Sequence, residues 1–322
     1  MQALNYTPKA IQQLLDFPCP DAPGAYAGMQ YLARKLQQAE VFVLGDSGEL
    51  LDRSKPRPEV PGVLFKPPFP VVALEYEANS KDWGNSIYTA VKASRRIALA
   101  WDWMDDLPPA LAGWSNLGNQ PGVAVVSISF FDNQQMWMPT AAAMFIPYET
   151  EYRPDSRPSP FRAEMIAQGR VSAKLAAAPK PEARTVALLP EAIAASHAKL
   201  GMAVTLDHIS ADLQDEVNAY LDLCNVLACR NVRAERQPAS PEHNRRRIAR
   251  GQMPLKDFHV LTIDGTGEGE AGATGTGTSP RAHLRRGHIR RLAPGRVTWV
   301  NATMVCGRGG FIDKAYAVRG VR

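Results

Sequence analysis

The sequence has no long apolar run, and its first nine residues lack the pattern of a leader segment. No apolar stretch reaches the length of about 18 residues that predicts a transmembrane helix. Residues 1–9 contain no basic segment followed by an apolar core, which is the pattern of a secretory signal peptide. We therefore expect a cytoplasmic protein that has no membrane partner.

Cysteine is also scarce. The four cysteines are Cys19, Cys224, Cys229 and Cys306, and no two of them form a Cys-x-x-Cys pair. Such pairs are typical of zinc sites and of redox motifs. We therefore expect reduced, mostly buried thiols rather than disulfides, and neither a metal ion nor another cofactor.

Basic charge is abundant, and it is concentrated near the C-terminus. Residues 230–322 contain 18 Lys and Arg against 7 Asp and Glu, whereas residues 1–229 contain 19 against 25. The formal net charge of +5 therefore divides into an acidic body and a strongly basic C-terminal module, which we expect to be separate domains. Clustered positive charge is the electrostatic footprint of a nucleic-acid or polyphosphate partner.

The hydrophobic pattern of residues 1–229 predicts an α+β fold, in which helices pack on a mixed or antiparallel sheet. The clearest helix spans 207–230, where apolar residues recur at intervals of three and four. Residues 152–182 are read as a connecting excursion with one helix near 161–178. The other predicted helices are 7–17 and 24–39, and the predicted strands are 41–44, 63–65, 71–76, 97–101 and 123–131.

The C-terminal module is predicted to be small and β-rich. A strand-like pattern covers 253–263, and residues 265–278 contain six glycines and four threonines, a composition typical of a flexible loop. Further strands are predicted at 288–292, 296–301 and 315–318, and an Ala-Pro-Gly turn at 293–295 joins the first two of them.

The segment Gly-Asp-Ser-Gly at 45–48 resembles the nucleophile motifs of two classes of serine hydrolase. A nucleophilic serine needs a base, but no histidine precedes Ser47 and no Asp-x-x-His motif occurs near the C-terminus. The same four residues are typical of a turn, because Asp and Ser bond to nearby backbone and Gly accepts a positive φ. The turn is therefore the favoured interpretation.

The densest cluster of charge lies at 279–291, where two of the six histidines and five arginines fall within 13 residues. His283 and His288 are both potential metal ligands. Because the two histidines are five residues apart, however, they do not lie on the same face of either a helix or a strand. The nearby arginines would also repel a dication. No metal site is expected here.

The same cluster suits phosphate chemistry. His283 and His288 could share the acid and base roles of RNA cleavage by internal transesterification, while Arg285 and Arg286 stabilise the charge of the transition state. The alternative is that the cluster only binds phosphate. The residues predicted to bind nucleic acid are Arg245, Arg246, Arg247, Arg250, Arg281, Arg290, Arg291 and Trp299. For Trp299, packing on a sheet is the alternative to stacking on a base.

Residues 280–288, Pro-Arg-Ala-His-Leu-Arg-Arg-Gly-His, are followed by a turn and by the strand-like segment 297–305. Together they resemble the C-terminal module of the anti-CRISPR family that suppresses production of type V-A CRISPR effector nucleases. The resemblance includes a basic Asn-x-x-Arg segment at 244–247 and a Pro-Leu segment at 253–256. Ile289 stands where the family core has tryptophan, which removes a platform for base stacking.

The resemblance implies a counter-defence function for a phage or mobile-element protein. Members of the family bind the N-terminal peptide of the nuclease during translation and cause loss of its messenger RNA. By that resemblance, residues 1–229 recognise a target polypeptide, and residues 230–322 engage messenger RNA or the ribosome in the bacterial cytoplasm. A non-catalytic nucleic-acid-binding regulator and a direct protein-binding inhibitor are the alternatives.

Overall fold

The structure is a computed structural model of the 322-residue chain. It describes residues 4–51, 65–78, 93–103, 106–114, 117, 120–154, 160–169 and 172–263, together with the C-terminal strand residues 283–285, 288–293, 296–300 and 303–305.

The described chain contains both helices and strands. The helices are α1 (Thr7–Leu15), α2 (Pro23–Gln38), α3 (Pro109–Ala112), α4 (Pro160–Ala167), α5 (Ala173–Ala176), α6 (Pro190–Leu200), α7 (Met202–Leu227) and α8 (Pro241–Ala249). The strands are β1 (Glu40–Val43), β2 (Val71–Glu77), β3 (Ala93–Asp102), β4 (Gly122–Phe131), β5 (Met136–Pro139), β6 (Ala142–Pro147), β7 (Tyr152–Arg153), β8 (Lys180–Pro181), β9 (Arg184–Ala187), β10 (Val232–Gln237), β11 (Phe258–Ile263), β12 (His283–Arg285), β13 (His288–Ala293), β14 (Arg296–Val300) and β15 (Thr303–Val305).

Nine of these strands form one mixed sheet in the order β10-β11-β1-β2-β3-β4-β6-β9, with β5 paired to β4. The central strand β1 runs parallel to β11 and to β2. The remaining described pairs of this sheet are antiparallel. An α+β protein with a mixed sheet is therefore confirmed.

Both faces of the sheet are covered, so the protein has three layers. Val71 and Ala73 of β2 pack in a core with α1 and α2, whereas Val72 and Leu74 of the same strand pack in a second core with α7. Successive strand residues point to opposite faces. Burial of both faces explains why these strands read as continuous apolar runs.

A buried charge fixes α7 on its face of the sheet. Glu216 of α7 is fully buried and accepts hydrogen bonds from the Tyr76 hydroxyl of β2 at 2.9 Å and from Nη1 of Arg96 of β3 at 3.0 Å. Burial, together with the nearby charge of Glu216, raises the pKa of Tyr76 well above its ordinary value. This cluster joins three elements through hydrogen bonds inside the core.

The predicted helices at 7–17 and 24–39 are confirmed as α1 and α2, and the predicted strands at 41–44, 71–76, 97–101 and 123–131 as β1 to β4. The clear helix at 207–230 is confirmed as α7, although it begins five residues earlier, at Met202. The single helix near 161–178 is wrong: two short helices, α4 and α5, occupy that region. The Gly-Asp-Ser-Gly segment forms a turn after β1, in which Ser47 has a φ of 58° and Gly48 a φ of 75°.

The large sheet continues past residue 229. Strands β10 and β11 follow α7 in the chain, and β11 lies between β10 and β1. The predicted strand at 253–263 is confirmed only from Phe258 onward. Residues 232–263 are therefore part of the same sheet as the N-terminal strands, and the basic charge of this segment lies at one edge of that sheet.

Near the C-terminus, β13 and β14 pair antiparallel on the two sides of the turn predicted at 293–295. The strands predicted at 288–292 and 296–301 are thereby confirmed. The predicted flexible loop at 265–278, the predicted strand at 315–318 and residues 63–64 of the predicted strand at 63–65 lie outside the described residues. Phe65, the described residue of that strand prediction, does not lie in a strand. Among the helices that the structure describes, none is both long and apolar enough to span a bilayer.

Candidate nucleic-acid interface

The helix α8 interrupts the connection between β10 and β11 at the edge of the sheet. Ser240 accepts a hydrogen bond from the backbone N–H of His243 at 3.3 Å, and Pro241 occupies the first turn. Gly251, with a φ of 68°, reverses the chain after the helix. These are the usual start and stop signals of a helix. None of the residues of α8 is buried, so its apolar pattern alone does not predict it.

One face of α8 carries a row of basic side chains. His243, Arg246, Arg247 and Arg250 follow one another at intervals of three, one and three, which places them on the same side of the helix. They line a common cavity of about 360 Å³, to which Gln252 also contributes. We call these four residues the basic face.

Three of the four arginines predicted in this segment therefore come together. Arg246, Arg247 and Arg250 line the cavity, whereas Arg245 is exposed and does not line it. Arg246 pairs with Glu242 one turn earlier, at 2.5 Å. Both side chains of that pair are about two thirds exposed, at 70% and 66%, so the pair contributes little to stability. Glu242 also lines the cavity and sets one carboxylate against its three arginines.

The segment after α8 holds the basic face in place. The side-chain amide of Asn244 donates to the carbonyl of Leu255 at 3.0 Å and accepts from the Leu255 N–H at 2.7 Å. Nε of Arg247 donates to the carbonyl of Met253 at 2.8 Å. Because one nitrogen of its fork is bonded to backbone, Arg247 is oriented before any ligand binds.

Lys256 and Asn5 attach this segment to the N-terminal helices. The Lys256 ammonium donates to the carbonyls of Leu36, Gln37 and Ala39 at 2.9, 2.9 and 2.6 Å, at the end of α2 where carbonyls lack helical partners. Asn5 pairs with the Lys256 backbone through bonds of 2.9 and 3.2 Å. Burial lowers the pKa of Lys256 despite the nearby charges of Glu40 and Glu75.

Asp257 joins the two ends of the connection between β10 and β11. Its carboxylate accepts from the backbone N–H of Ala239 at 2.9 Å and pairs with Arg236 of β10 at 2.8 Å. The hydrogen bond from Ala239 and the charge of Arg236 hold the pKa of Asp257 below its ordinary value. The connection between β10 and β11, which carries α8, is thus held at both ends.

The C-terminal strands form two antiparallel ladders that share one register. His283 pairs with Val305 and Arg285 with Thr303, and His288 pairs with Val300. From the His283–Val305 pair to the His288–Val300 pair, one residue number rises by five and the other falls by five. The four strands β12 to β15 are therefore consistent with the two arms of a single hairpin, which we call the C-terminal hairpin.

The backbone places several predicted site residues on this hairpin. His283 and Arg285 lie on β12, His288, Arg290 and Arg291 on β13, and Trp299 on β14, where it pairs with Ile289. Arg281 and Arg286 lie outside the described residues, as does Gly287, where a bend is predicted to bring the two histidines together. That convergence stays a prediction.

The cysteines fit the expectation of free thiols. Cys224 and Cys229 are buried and Cys19 is partly exposed, all three as free thiols, and Cys306 lies outside the described residues. Burial raises the pKa of Cys224 to about 12 and that of Cys229 to about 11, so both stay protonated at neutral pH. Within the described ranges, no group of three or more His, Cys, Asp or Glu residues is placed to hold a metal ion.

These observations define an α+β protein with a mixed sheet and an exposed basic helix at the edge of that sheet. No family model, curated protein or solved structure matches the chain. What it binds must therefore be inferred from the chemistry of its own residues.

Proposed function

We propose that the chain is an RNA-binding protein whose basic face on α8 contacts phosphates. The observation that carries this proposal is the meeting of His243, Arg246, Arg247 and Arg250 around one cavity on a helix without buried residues. Guanidinium groups bind phosphate through two parallel hydrogen bonds, and a row of them follows a sugar-phosphate backbone. The basic C-terminal hairpin would extend the same contact.

We further propose the cellular role that the resemblance of residues 280–305 implies. The chain is a counter-defence factor in the bacterial cytoplasm that recognises a target polypeptide and lowers its production through loss of its messenger RNA. His283 and His288 would supply acid and base, and Arg285 and Arg286 would hold the phosphate between them. The peptide-binding role belongs to the body formed by residues 1–229.

A non-catalytic RNA-binding regulator is the second candidate. It is supported by the composition of the basic face, in which His243 is the single imidazole among three arginines. Cleavage by internal transesterification uses two acid–base groups, whereas binding alone requires no acid–base group. The two candidates differ in whether a bound transcript disappears.

The test is to express the chain in bacterial cells and to sequence both the RNA that it binds and the RNA that it depletes. The variant Arg246→Gln/Arg250→Gln removes two charges from the basic face. The matched control, Arg153→Gln/Arg184→Gln, removes two exposed arginines that pair with glutamate but do not line the cavity of the basic face.

We expect the first variant to lose bound RNA and the control to keep it. Depletion of the bound transcripts supports the counter-defence role, and binding without depletion supports the regulator. If the wild-type chain recovers no RNA, RNA binding is refuted; tight salt-insensitive binding to a protein in its place would identify a direct protein-binding inhibitor.

A further inference from the structure

A second, larger cleft adjoins the basic face. Its volume is about 660 Å³, within the range of sites for small organic groups. One wall is the start of the chain, including Tyr6 and Lys9, and the opposite wall is formed by Met253 and Leu255. Arg247 and Gln252 line both this cleft and the cavity of the basic face, so the two spaces are neighbours.

Flat groups are arranged inside this cleft. The Tyr6 ring lies 5.4 Å from the ring of Trp137, and the guanidinium of Arg95 lies 5.7 Å from the centre of the Tyr6 ring. Trp137 is 1% exposed, so it supports the Tyr6 ring from the protein interior. Tyr6 is half-buried, and Arg95 is exposed. An aromatic ring and a planar guanidinium are the two groups on which proteins stack unpaired bases.

Hydrogen bonds hold the walls of the cleft in position. Glu75, fully buried on β2, accepts from the backbone N–H groups of Tyr6 and Thr7, both at 2.8 Å, and from the Thr7 hydroxyl at 2.7 Å. Asn5 joins this wall to the opposite one through the backbone of Lys256. Preorganised walls reduce the entropy that a ligand loses on binding.

The net positive charge of the cleft favours an anionic ligand that carries hydrogen-bonding groups at its edges. Lys9, Arg95 and Arg247 contribute three positive groups against the single carboxylate of Glu77. Burial, with the nearby charge of Glu77, raises the pKa of Tyr6 to about 12, so its phenol remains a hydrogen-bond donor at neutral pH. A nucleobase offers carbonyl or ring-nitrogen acceptors to the phenol, and a ring N–H or an amino group as donor to the carboxylate.

We propose that this cleft takes the base of one nucleotide of single-stranded RNA, whose phosphates lie along the basic face. The inference rests on the proposed RNA binding and adds the class of substrate, which is an unpaired strand. In a duplex the bases are stacked and paired, so a base could not leave the helix to lie against Tyr6. A single strand can place a base in the cleft and a phosphate at Arg247 together.

The experiment compares three RNA probes that carry the same number of phosphates. They are an oligouridylate, an oligomer of the same length with abasic sugars, and a self-complementary duplex. We expect the intact protein to bind oligouridylate at least about fivefold tighter than the abasic oligomer, because stacking of one base on an aromatic ring accounts for that much or more. The duplex should bind no better than the abasic strand.

The variant Tyr6→Leu keeps an apolar side chain against Trp137 and removes the aromatic face. It should bring the affinity for oligouridylate down to that for the abasic oligomer and leave the latter unchanged. Tyr26→Leu is the matched control, since Tyr26 is 49% exposed and lines neither cavity. Equal affinities of the wild type for all three probes would overturn the inference while leaving phosphate binding intact.

Crosslinking of the wild-type chain decides the matter if Tyr6→Leu fails to fold. An oligomer containing 4-thiouridine should crosslink on irradiation to Tyr6 or to residues 253–255. Crosslinks confined to α8 or to the hairpin would refute base binding in the cleft. If neither oligouridylate nor the abasic oligomer binds at low salt, the proposed RNA binding itself fails, which is a distinguishable result.

Discussion

Single polar residues outside the basic face hold it in position. Lys256 donates to three carbonyls at the end of α2, and Asp257 bonds to the backbone before α8. Asn244 pairs with the backbone of Leu255, and Asn5 pairs with the backbone of Lys256. Each of these bonds replaces hydration of a partly buried group, so removal of one partner leaves the other unsatisfied.

Replacement of Lys256 by methionine should destabilise the fold. The variant keeps the aliphatic stem but removes the three hydrogen bonds to Leu36, Gln37 and Ala39. We expect the free energy of unfolding to fall by about 1.5 to 3 kcal/mol, the range for hydrogen bonds to charged groups. Urea denaturation measures this change. Lys174→Met, at an exposed position of α5, is the control and should lie within about 0.5 kcal/mol of wild type.

Asp257 should make part of the stability dependent on acid pH. Because its folded pKa is below its ordinary value, its contribution is present above the unfolded pKa of about 3.9 and is lost as pH falls through the folded pKa. Asp257→Asn should therefore lower stability at pH 7 and lose less on acidification than wild type. Urea denaturation at pH 7 and near pH 3 provides the comparison, and parallel losses in the two proteins would contradict this role.

Among the elements, α7 and α8 show what the sequence can and cannot predict. The apolar stripe of α7, with Leu213, Val217 and Tyr220, packs in a core, so its periodicity predicts it. The helix α8 has no buried residue to produce such a stripe. Its Ser-Pro start and the Gly251 stop could have indicated it.

The cleft could not be predicted from the sequence at all. Asn5 and Lys256, which join its walls, are separated by 251 positions in the chain, and no local pattern connects them. The charge density at 241–250 does predict an anion-binding segment, and three of its arginines line one cavity. Local composition therefore indicates the chemistry, whereas long-range pairing decides which side chains meet.

The hairpin formed by β12 to β15 carries a separate prediction. His283→Gln and His288→Gln retain hydrogen bonding but cannot exchange a proton at neutral pH. We expect each variant to keep its fold and its binding of RNA and to abolish depletion of the target transcript, measured by RNA sequencing in cells. Arg286→Lys should impair depletion because a point charge replaces a two-pronged fork.

Two outcomes would contradict that prediction. Transcript loss at the wild-type rate in both histidine variants would show that the histidines are not catalytic. Unfolding of the variants, detected by circular dichroism, would show that the pair is structural.

At the scale of the whole molecule, acidic and basic charge are separated along the chain, but the large sheet places part of the basic segment beside the acidic body. Residues 230–263 add two strands to the sheet that residues 40–187 begin, and they place α8 at its edge. The acidic body therefore carries a basic edge of its own. If the proposed RNA binding holds, this separation of charge would favour contact of the strand with the basic edge over contact with the acidic body.

The most direct test of RNA binding through the basic face is the salt dependence of affinity for a single-stranded RNA, measured from about 50 to about 200 mM salt. We expect the affinity of the wild-type chain to fall steeply, because each phosphate that a cation contacts releases a counterion. The slope of log affinity against log salt should decrease by about 0.7 for each contact removed in Arg246→Gln/Arg250→Gln. In Arg153→Gln/Arg184→Gln it should stay at the wild-type value. A flat response of the wild type, or equal slopes in all three proteins, would contradict the account.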